Sequence, residues 1–389
     1  MPISSLSAAR DQLPHADGRI HQLDGLRGLL AFFVALFHLL AALPELSSFV
    51  LGAAPIFLQG WYAVDVFFVM SGFVMLHVYG RTFRDGVTLP SFLSFMWARV
   101  ARLYPVHLFA MLATLVLMVP MLRHNQGEFL AWTGRYSLGT FIGSLLMVQS
   151  PWVAYRSWNF PAWSISAEWH AYLLFPLLVL LLRKCSMRLS WGLIGIGAVI
   201  PLLLYLSPYE VDQYPTNGAV VLMRVLPLFV VGMALHLVWS HLRHLPAALA
   251  AAVVVATLVL LSIPAAAPYA VLLVPLLVLS ALCTPWLQRW LSRASLLWLG
   301  KISYSLYMTH ALVALLLSVG LRHLHRWQGA DFLLGVAASL LIWLMGALLS
   351  LGVGWATWKW VEVPGRSYLM RYQGMFAKRF PATPHESSR

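Results

Sequence analysis

DGLRGLLAFFVALFHLLAAL, residues 24–43, sets an arginine and a histidine into a run that is otherwise almost wholly apolar. From Leu29 to Leu43 the one polar side chain is His38. A run of this length fits a helix crossing a hydrocarbon core about 30 Å thick. Helical rise places His38 about 16 Å beyond Arg27, near the middle of that core. An ionisable group at that depth costs several kcal/mol unless it faces protein or water, which makes His38 a functional candidate by default. The competing reading is a buried neutral histidine hydrogen-bonded to a neighbouring helix.

Composition says what surrounds this helix. The chain has 389 residues, 60% of them apolar and 10% charged, against about 25% charged in ordinary soluble domains. An all-α, polytopic integral membrane protein is the fold class expected. Ten predominantly apolar segments of roughly 17 to 25 residues are the length a spanning helix needs. They run 28–44, 55–79, 101–121, 168–182, 190–206, 219–239, 246–263, 268–284, 302–320 and 332–357. Pro264 to Pro268 make a tight hairpin of the seventh and eighth, while Met121 to Ala167 forms the one long connection, a place where function tends to sit. This divides the chain into an N-terminal tail, 1–27, a ten-helix membrane domain, 28–361, and a C-terminal tail, 362–389. The polar residues 1–25 and the lack of a small-x-small cleavage site argue for a retained first helix rather than a signal peptide.

Net charge is +13, which in a soluble domain would suggest nucleic acid. The charges instead follow the loops. With the N-terminus inside, twenty of the 26 lysines and arginines fall on cytoplasmic segments. Arg123, Arg135, Arg156, Arg224, Arg322 and Arg326 fall outside or near the outer face. That asymmetry puts both termini in the cytoplasm, and basic loops facing anionic lipid account for the charge without nucleic acid. The cytoplasmic membrane, most simply a bacterial inner membrane, is the expected location. Cys185 and Cys283 support neither a disulfide framework nor a metal motif.

Other polar residues lie at membrane depth. Asp65, in VDVFFVMSGF, falls about ten residues into the second span, level with His38 on the antiparallel first span, where a carboxylate would neutralise and orient the imidazole. The alternative is that Asp65 caps a broken helix or faces an aqueous vestibule alone. Ser71 and Gly72 allow close helix approach, and packing is the favoured reading. Arg99 and Arg102, at i and i+3 in WARVARLYP, share a helix face suited to a phosphate or pyrophosphate. With Arg27 they would ring a cytoplasmic entrance for an anionic cosubstrate, although paired arginines at an inner helix end commonly serve topology alone. In WNFPAWSISAEWHAYLLFP, residues 158–176, Trp158, Trp163, Ser166 and Trp169 suit a sugar-binding wall or an aromatic interface belt. Glu168, which this reading places at the head of a helix, is a catalytic candidate or a dipole cap. Tyr304, Tyr307 and His310 stand on successive turns, where a satisfied polar stripe is the structural alternative and the favoured reading for Tyr304, and Glu362 reads as a salt-bridge partner of a basic loop. His107, His236, His241, His244, His323 and His325 read as interfacial.

Taken together these segments resemble the membrane acyltransferases called acyltransferase family 3. LDGLRG with Arg27 and His38, VDVFFVMSGF, the Arg99 and Arg102 pair followed by Leu-Tyr-Pro, WSISAEW, SYSLYMTH, and Glu362 with Pro364 occur in the expected order over nearly the whole chain. The resemblance implies transfer of an acyl group, commonly acetyl, from cytoplasmic acyl-coenzyme A to a hydroxyl of an extracytoplasmic or membrane-associated glycan. It points to His38 as the catalytic histidine and to Arg27, Arg99 and Arg102 as essential charges that would hold the acyl-CoA. Some members carry a C-terminal hydrolase-like domain, and this chain reads as a stand-alone member. The rival class is a transporter or flippase of a lipid-linked saccharide or anion with His38 and Asp65 as a proton relay, against which the halves of the chain show no clear repeat.

Overall fold

A run of leucine, alanine and phenylalanine without proline carries α1 from His21 to Leu40. Pro44, which disfavours a helical residue before it, separates it from α2, Pro44–Ala53. The computed structural model describes residues 20–124, 134–152, 158–208, 214–242, 244–328 and 334–373. The tails 1–19 and 374–389, with the basic residues counted there, lie outside the described residues, as do Arg156 and Arg243.

A single 3-10 turn, Pro55–Leu58, leads into α3, Trp61–Phe83, and α4 follows, Leu89–His124. In the long connection lie two short helices, α5, Leu138–Leu145, and α6, Gln149–Trp152. The first opens on a capping box in which Ser137 and Thr140 exchange hydrogen bonds. Next come α7, Ala162–Leu182, α8, Met187–Tyr205, α9, Val220–Trp239, and the shorter α10, Ala247–Ser262. A 3-10 segment, Ala267–Leu273, runs into α11, Val274–Cys283, and α12, Pro285–Leu291, breaks away from that run at 87°. The chain continues through α13, Ala294–Gln328, and α14, Val336–Thr357. A π-helical turn, Trp358–Glu362, leads on into α15, Val363–Met370.

Among the described residues every element is helical, and eight helices are long and apolar enough to cross a bilayer. Each of the ten expected segments coincides with a helix, the remaining two being the 16-residue α10 and the run 267–283. Large apolar residues also cover the outer surface: Met345 is 68% exposed and Leu348 69%. Helices apolar on both faces are what lipid contact requires. The protein is a polytopic membrane protein.

Two helix starts that bear on the site differ from the sequence expectation. The fourth helix begins at Leu89 rather than 101, so Arg99 and Arg102 sit about three turns inside it. The seventh begins at Ala162, which moves Glu168 from a helix head to a position nearly two turns in. In both cases polar residues lowered the local apolar signal although the helix is already under way. The last helical run also continues past Glu362, so that the Trp97 indole donates to Leu369 O at 2.8 Å.

Glycine sets the closest helix contacts. Gly25 lies against Leu291 O, Gly28 against the backbone of Leu299 and Gly300, and Gly300 against Asp24 O. A side chain at any of these points would strike main chain, so the two glycines of LDGLRG dock the start of α1 onto the α12–α13 corner and fix the height of Arg27. At the α3–α9 crossing Gly72 faces Phe229 O and Gly232 faces Val69 O. This is the small-residue packing of helices in lipid.

Candidate active site

α1, α3, α4, α7, α13 and the π-helical turn enclose a cavity of about 1010 Å³, at the upper end of the roughly 300–1,000 Å³ usual for ligand pockets. Its rim carries the exposed Val78, Lys301, Val363 and Arg366. Its floor is made by the buried Ala31, Val64, Ser164 and Tyr307. The opening is at the end of the bundle whose loops the charge distribution assigns to the cytoplasm. Arg27, Arg99, Arg102, Lys301 and Arg366 line the cavity against Asp24, Glu168 and Glu362. It therefore has more positive than negative groups.

The three expected arginines come together here, and they are not equivalent. Arg27 Nη2 pairs with Asp24 at 2.7 Å, and its Nε donates to Ser303 Oγ at 3.0 Å. Arg102 Nη1 is salt-bridged to Glu362 Oε1, and the other oxygen of that buried carboxylate accepts from Ser305 at 2.6 Å. Glu362 is thus an interior partner of Arg102 on the helix bundle itself. Among the described residues Arg99 forms no salt bridge to a carboxylate: it donates to Tyr79 Oη at 2.7 Å and lies over the rings of Tyr79, Phe95 and Tyr172. Its Nε is buried with no hydrogen-bond partner. A guanidinium held by aromatic faces beside a cavity, with a donor unused, keeps its capacity for an anionic ligand.

Glu168 also lines the cavity. It accepts from Tyr172 Oη at 2.6 Å, and that hydroxyl lies 3.3 Å from Ser71 Oγ. Ser71 therefore belongs to a hydrogen-bonded set on the cavity wall rather than to helix packing alone, while Gly72 sits at a helix crossing as the packing reading expects.

His38 lies beyond the floor. Its Nδ1 is 3.0 Å from His310 Nε2, the two rings stack with centroids 5.0 Å apart, and the edge of Phe160 covers it at 4.8 Å. Asn159 Nδ2 donates to Met308 O at 2.9 Å and clamps the 158–161 turn onto α13. The preceding Trp158 holds φ at 44°, a conformation non-glycine residues keep where their surroundings enforce it. Between the imidazoles and the cavity stands Tyr307, whose hydroxyl is 2.7 Å from Ser164 Oγ.

The expected pairing of Asp65 with His38 is not formed. Asp65 Oδ1 accepts from Arg224 Nε at 2.8 Å and Oδ2 from Tyr205 Oη at 2.7 Å, with both ionic side chains 0% exposed. Arg224 also donates to Pro215 O at 3.1 Å and Trp61 O at 3.2 Å and lies over Trp163. Equal depth did place Asp65 in the interior, but azimuth turns it toward α8 and α9. The partner of His38 is instead His310, on the polar stripe of the same helix as Tyr304 and Tyr307.

None of the four residues of the proposed sugar wall lines the cavity described above. Trp158 is buried, its indole on Thr140 Oγ1 at 3.2 Å. Trp163 packs on Phe68, and Ser166 accepts from Ser150 N at 3.0 Å. Trp169 packs against the core. His107 is buried on Ser144 O at 2.7 Å rather than interfacial, because α4 starts early. Sequence reasoning missed Arg366, Lys301, Tyr79 and Tyr172. Tyr304 bonds Leu103 O at 2.6 Å, as a satisfied stripe would. Cys185 and Cys283 are both free thiols.

A polytopic membrane protein with a charged internal chamber and, beyond its floor, a half-buried histidine paired with a fully buried one has the build of an integral membrane enzyme. The chain belongs to an acyltransferase family: the family model described as "Acyltransferase domain" matches residues 20–359. It is similar to "Acyltransferase MdmB" of Streptomyces mycarofaciens, 32% identical over 164 residues, 41% of this chain and 38% of that protein. It is also similar to "Protein 2 in picA locus" of Rhizobium radiobacter, 38% identical over 89 residues, 23% of this chain and 40% of that protein. These alignments span about two fifths of the length of either relative. No solved structure matches the chain.

Proposed function

We propose that the protein transfers an acyl group, acetyl in the simplest case, from cytoplasmic acyl-coenzyme A to a hydroxyl of an extracytoplasmic or membrane-associated glycan. One observation carries this reading: a positively charged cavity runs from an exposed basic rim to a floor one helical turn from His310, the partner of His38. Arg99 is the principal phosphate ligand, because Arg27 and Arg102 are each already engaged by a carboxylate. Lys301 and Arg366 add charge at the rim. The thioester end of the pantetheine arm points inward, and the nucleotide stays at the rim.

His38 acts as general base. Its imidazole removes the proton of the acceptor hydroxyl as the oxygen forms a bond to the thioester carbonyl. The carbon–sulfur bond then breaks, and the thiolate takes that proton to leave as free coenzyme A. Glu168, at the cavity wall with Tyr172 and Ser71, orders the polar lining. The experiment uses purified protein in detergent, with acetyl-coenzyme A as probe and glycan extract from the expressing cells as acceptor. Arg99→Ala should weaken acetyl-coenzyme A binding about 10- to 100-fold, the loss of a charge-assisted contact. His38→Ala should bind as the parent does and release no coenzyme A. Unchanged affinity in the first variant, or full turnover in the second, would overturn the reading.

A further inference from the structure

Hydrogen-bond direction around His310 determines which nitrogen of His38 carries its proton. His310 Nδ1 is 3.2 Å from Leu306 O, one turn back on the same helix. A carbonyl oxygen can only accept, so Nδ1 of His310 is the protonated nitrogen. The ring is fully buried, and its described neighbours Leu306 O, His38, Phe160 and Tyr307 include no anion. A buried cation without a counter-charge is costly, so the ring is neutral and its Nε2 is an acceptor. That acceptor is 3.0 Å from His38 Nδ1. His38 Nδ1 must then donate, which leaves the lone pair of the His38 ring on Nε2.

We propose that His310 is a positioning residue: through the chain Leu306 O, His310, His38 it fixes His38 as the Nδ1–H tautomer and presents Nε2 as the basic atom. This rests on the assignment of His38 as general base and adds the atom that does the work. When Nε2 takes a proton, the Nδ1–H to His310 bond becomes charge-assisted and strengthens. His310 then stabilises the imidazolium without a carboxylate, the group that more often performs this task. Phe160 and the Asn159 clamp hold the pair in register from the third side.

The test reads tautomer and turnover separately. In protein labelled with 15N-histidine, the His38 signal, assigned by its absence from His38→Ala, should show Nδ1 protonated and Nε2 unprotonated. His310→Phe keeps the ring and removes the acceptor. It should move the His38 signal toward Nε2–H and lower coenzyme A release from acetyl-coenzyme A about 100-fold, with KM for acetyl-coenzyme A unchanged. His310→Gln places an amide oxygen where Nε2 was, and should restore both the tautomer and turnover to within about tenfold of the parent. An Nε2–H signal in the parent protein, or an unchanged tautomer in His310→Phe, overturns the proposal. Loss of the general-base reading would show instead as full turnover in His38→Ala, a result independent of the spectrum.

Discussion

Replacing Asp65 by Asn removes one negative charge and almost no volume, and should destabilise the protein by about 3–5 kcal/mol. The magnitude follows from what stays behind: a guanidinium with 0% exposure, still bonded to Pro215 O and Trp61 O, whose counter-ion has gone. At about 2.1 cal/mol/K per residue, unfolding of 389 residues carries roughly 0.8 kcal/mol per degree, so the melting midpoint falls by at least about 4 °C. Helices that persist in detergent reduce that entropy and enlarge the shift. Cys283 is buried and supplies the probe, since a thiol-reactive fluorophore labels it only as the bundle opens. The partly exposed Cys185 is first replaced by Ser. The double variant Asp65→Asn with Arg224→Gln has two amides that bond each other without charge and leaves Tyr205 an acceptor, so it should recover most of the midpoint. It should also regain acyl transfer, because Asp65 contacts Arg224 and Tyr205 while His38 contacts His310. A double variant that melts like the parent but is inactive would refute this reasoning and place Asp65 in the chemistry.

Arg102→Ala strands Glu362, a buried carboxylate held on its other side by Ser305. With Arg102 itself 23% exposed at the side chain, the cost should be about 2 kcal/mol, and Glu362→Gln added to it should return most of that loss in the same melt. An uncorrected double variant would show that Arg102 stabilises through other contacts. Gly72→Ala drives a methyl against Phe229 O across the α3–α9 crossing and should cost about 1–3 kcal/mol. An unshifted midpoint there would mean the helices do not approach so closely.

Class of fold and depth were legible in the chain because they depend on runs of like residues: eight of the ten apolar segments fall on helices long and apolar enough to span a bilayer, and His38 and Asp65 both lie on such helices. Direction around the helix axis was not, because it depends on which neighbour packs where. Asp65 and His38 share a level but turn to different partners, and His310 waited on a stripe with an adequate structural reading. Arg224 carried a usable signal, a lone arginine in VVLMRVLPLFVV, which was spent on topology because it lies near a span end. Helix starts at Leu89 and Ala162 were hidden by the polar residues that make the cavity. Chemistry at a membrane site thus erases the apolar pattern that would locate it.

Tyr307 raises the question of passage, since the thioester enters a cavity whose lining stops at this ring while His38 lies beyond it. Its hydroxyl is bonded to Ser164 Oγ at 2.7 Å and to Pro161 O at 3.3 Å, and the ring meets Phe67 edge-on at 5.9 Å. Ser164 has a second bond, to Pro161 O at 3.1 Å, so it stays satisfied if Tyr307 moves. Opening the floor therefore costs about one net hydrogen bond, near 1 kcal/mol, together with the packing of one ring. Tyr307→Phe removes the hydrogen bonds and keeps the ring, which shifts the closed–open balance by about fivefold toward open. Acetyl-coenzyme A should then reach His38 with water in place of the acceptor hydroxyl, so its hydrolysis to acetate and free coenzyme A in the absence of glycan should rise by a similar factor while binding at Arg99 is unchanged. A Tyr307→Phe variant with no such leak, or with transfer lost and no leak, would show that this hydroxyl does not hold the passage shut.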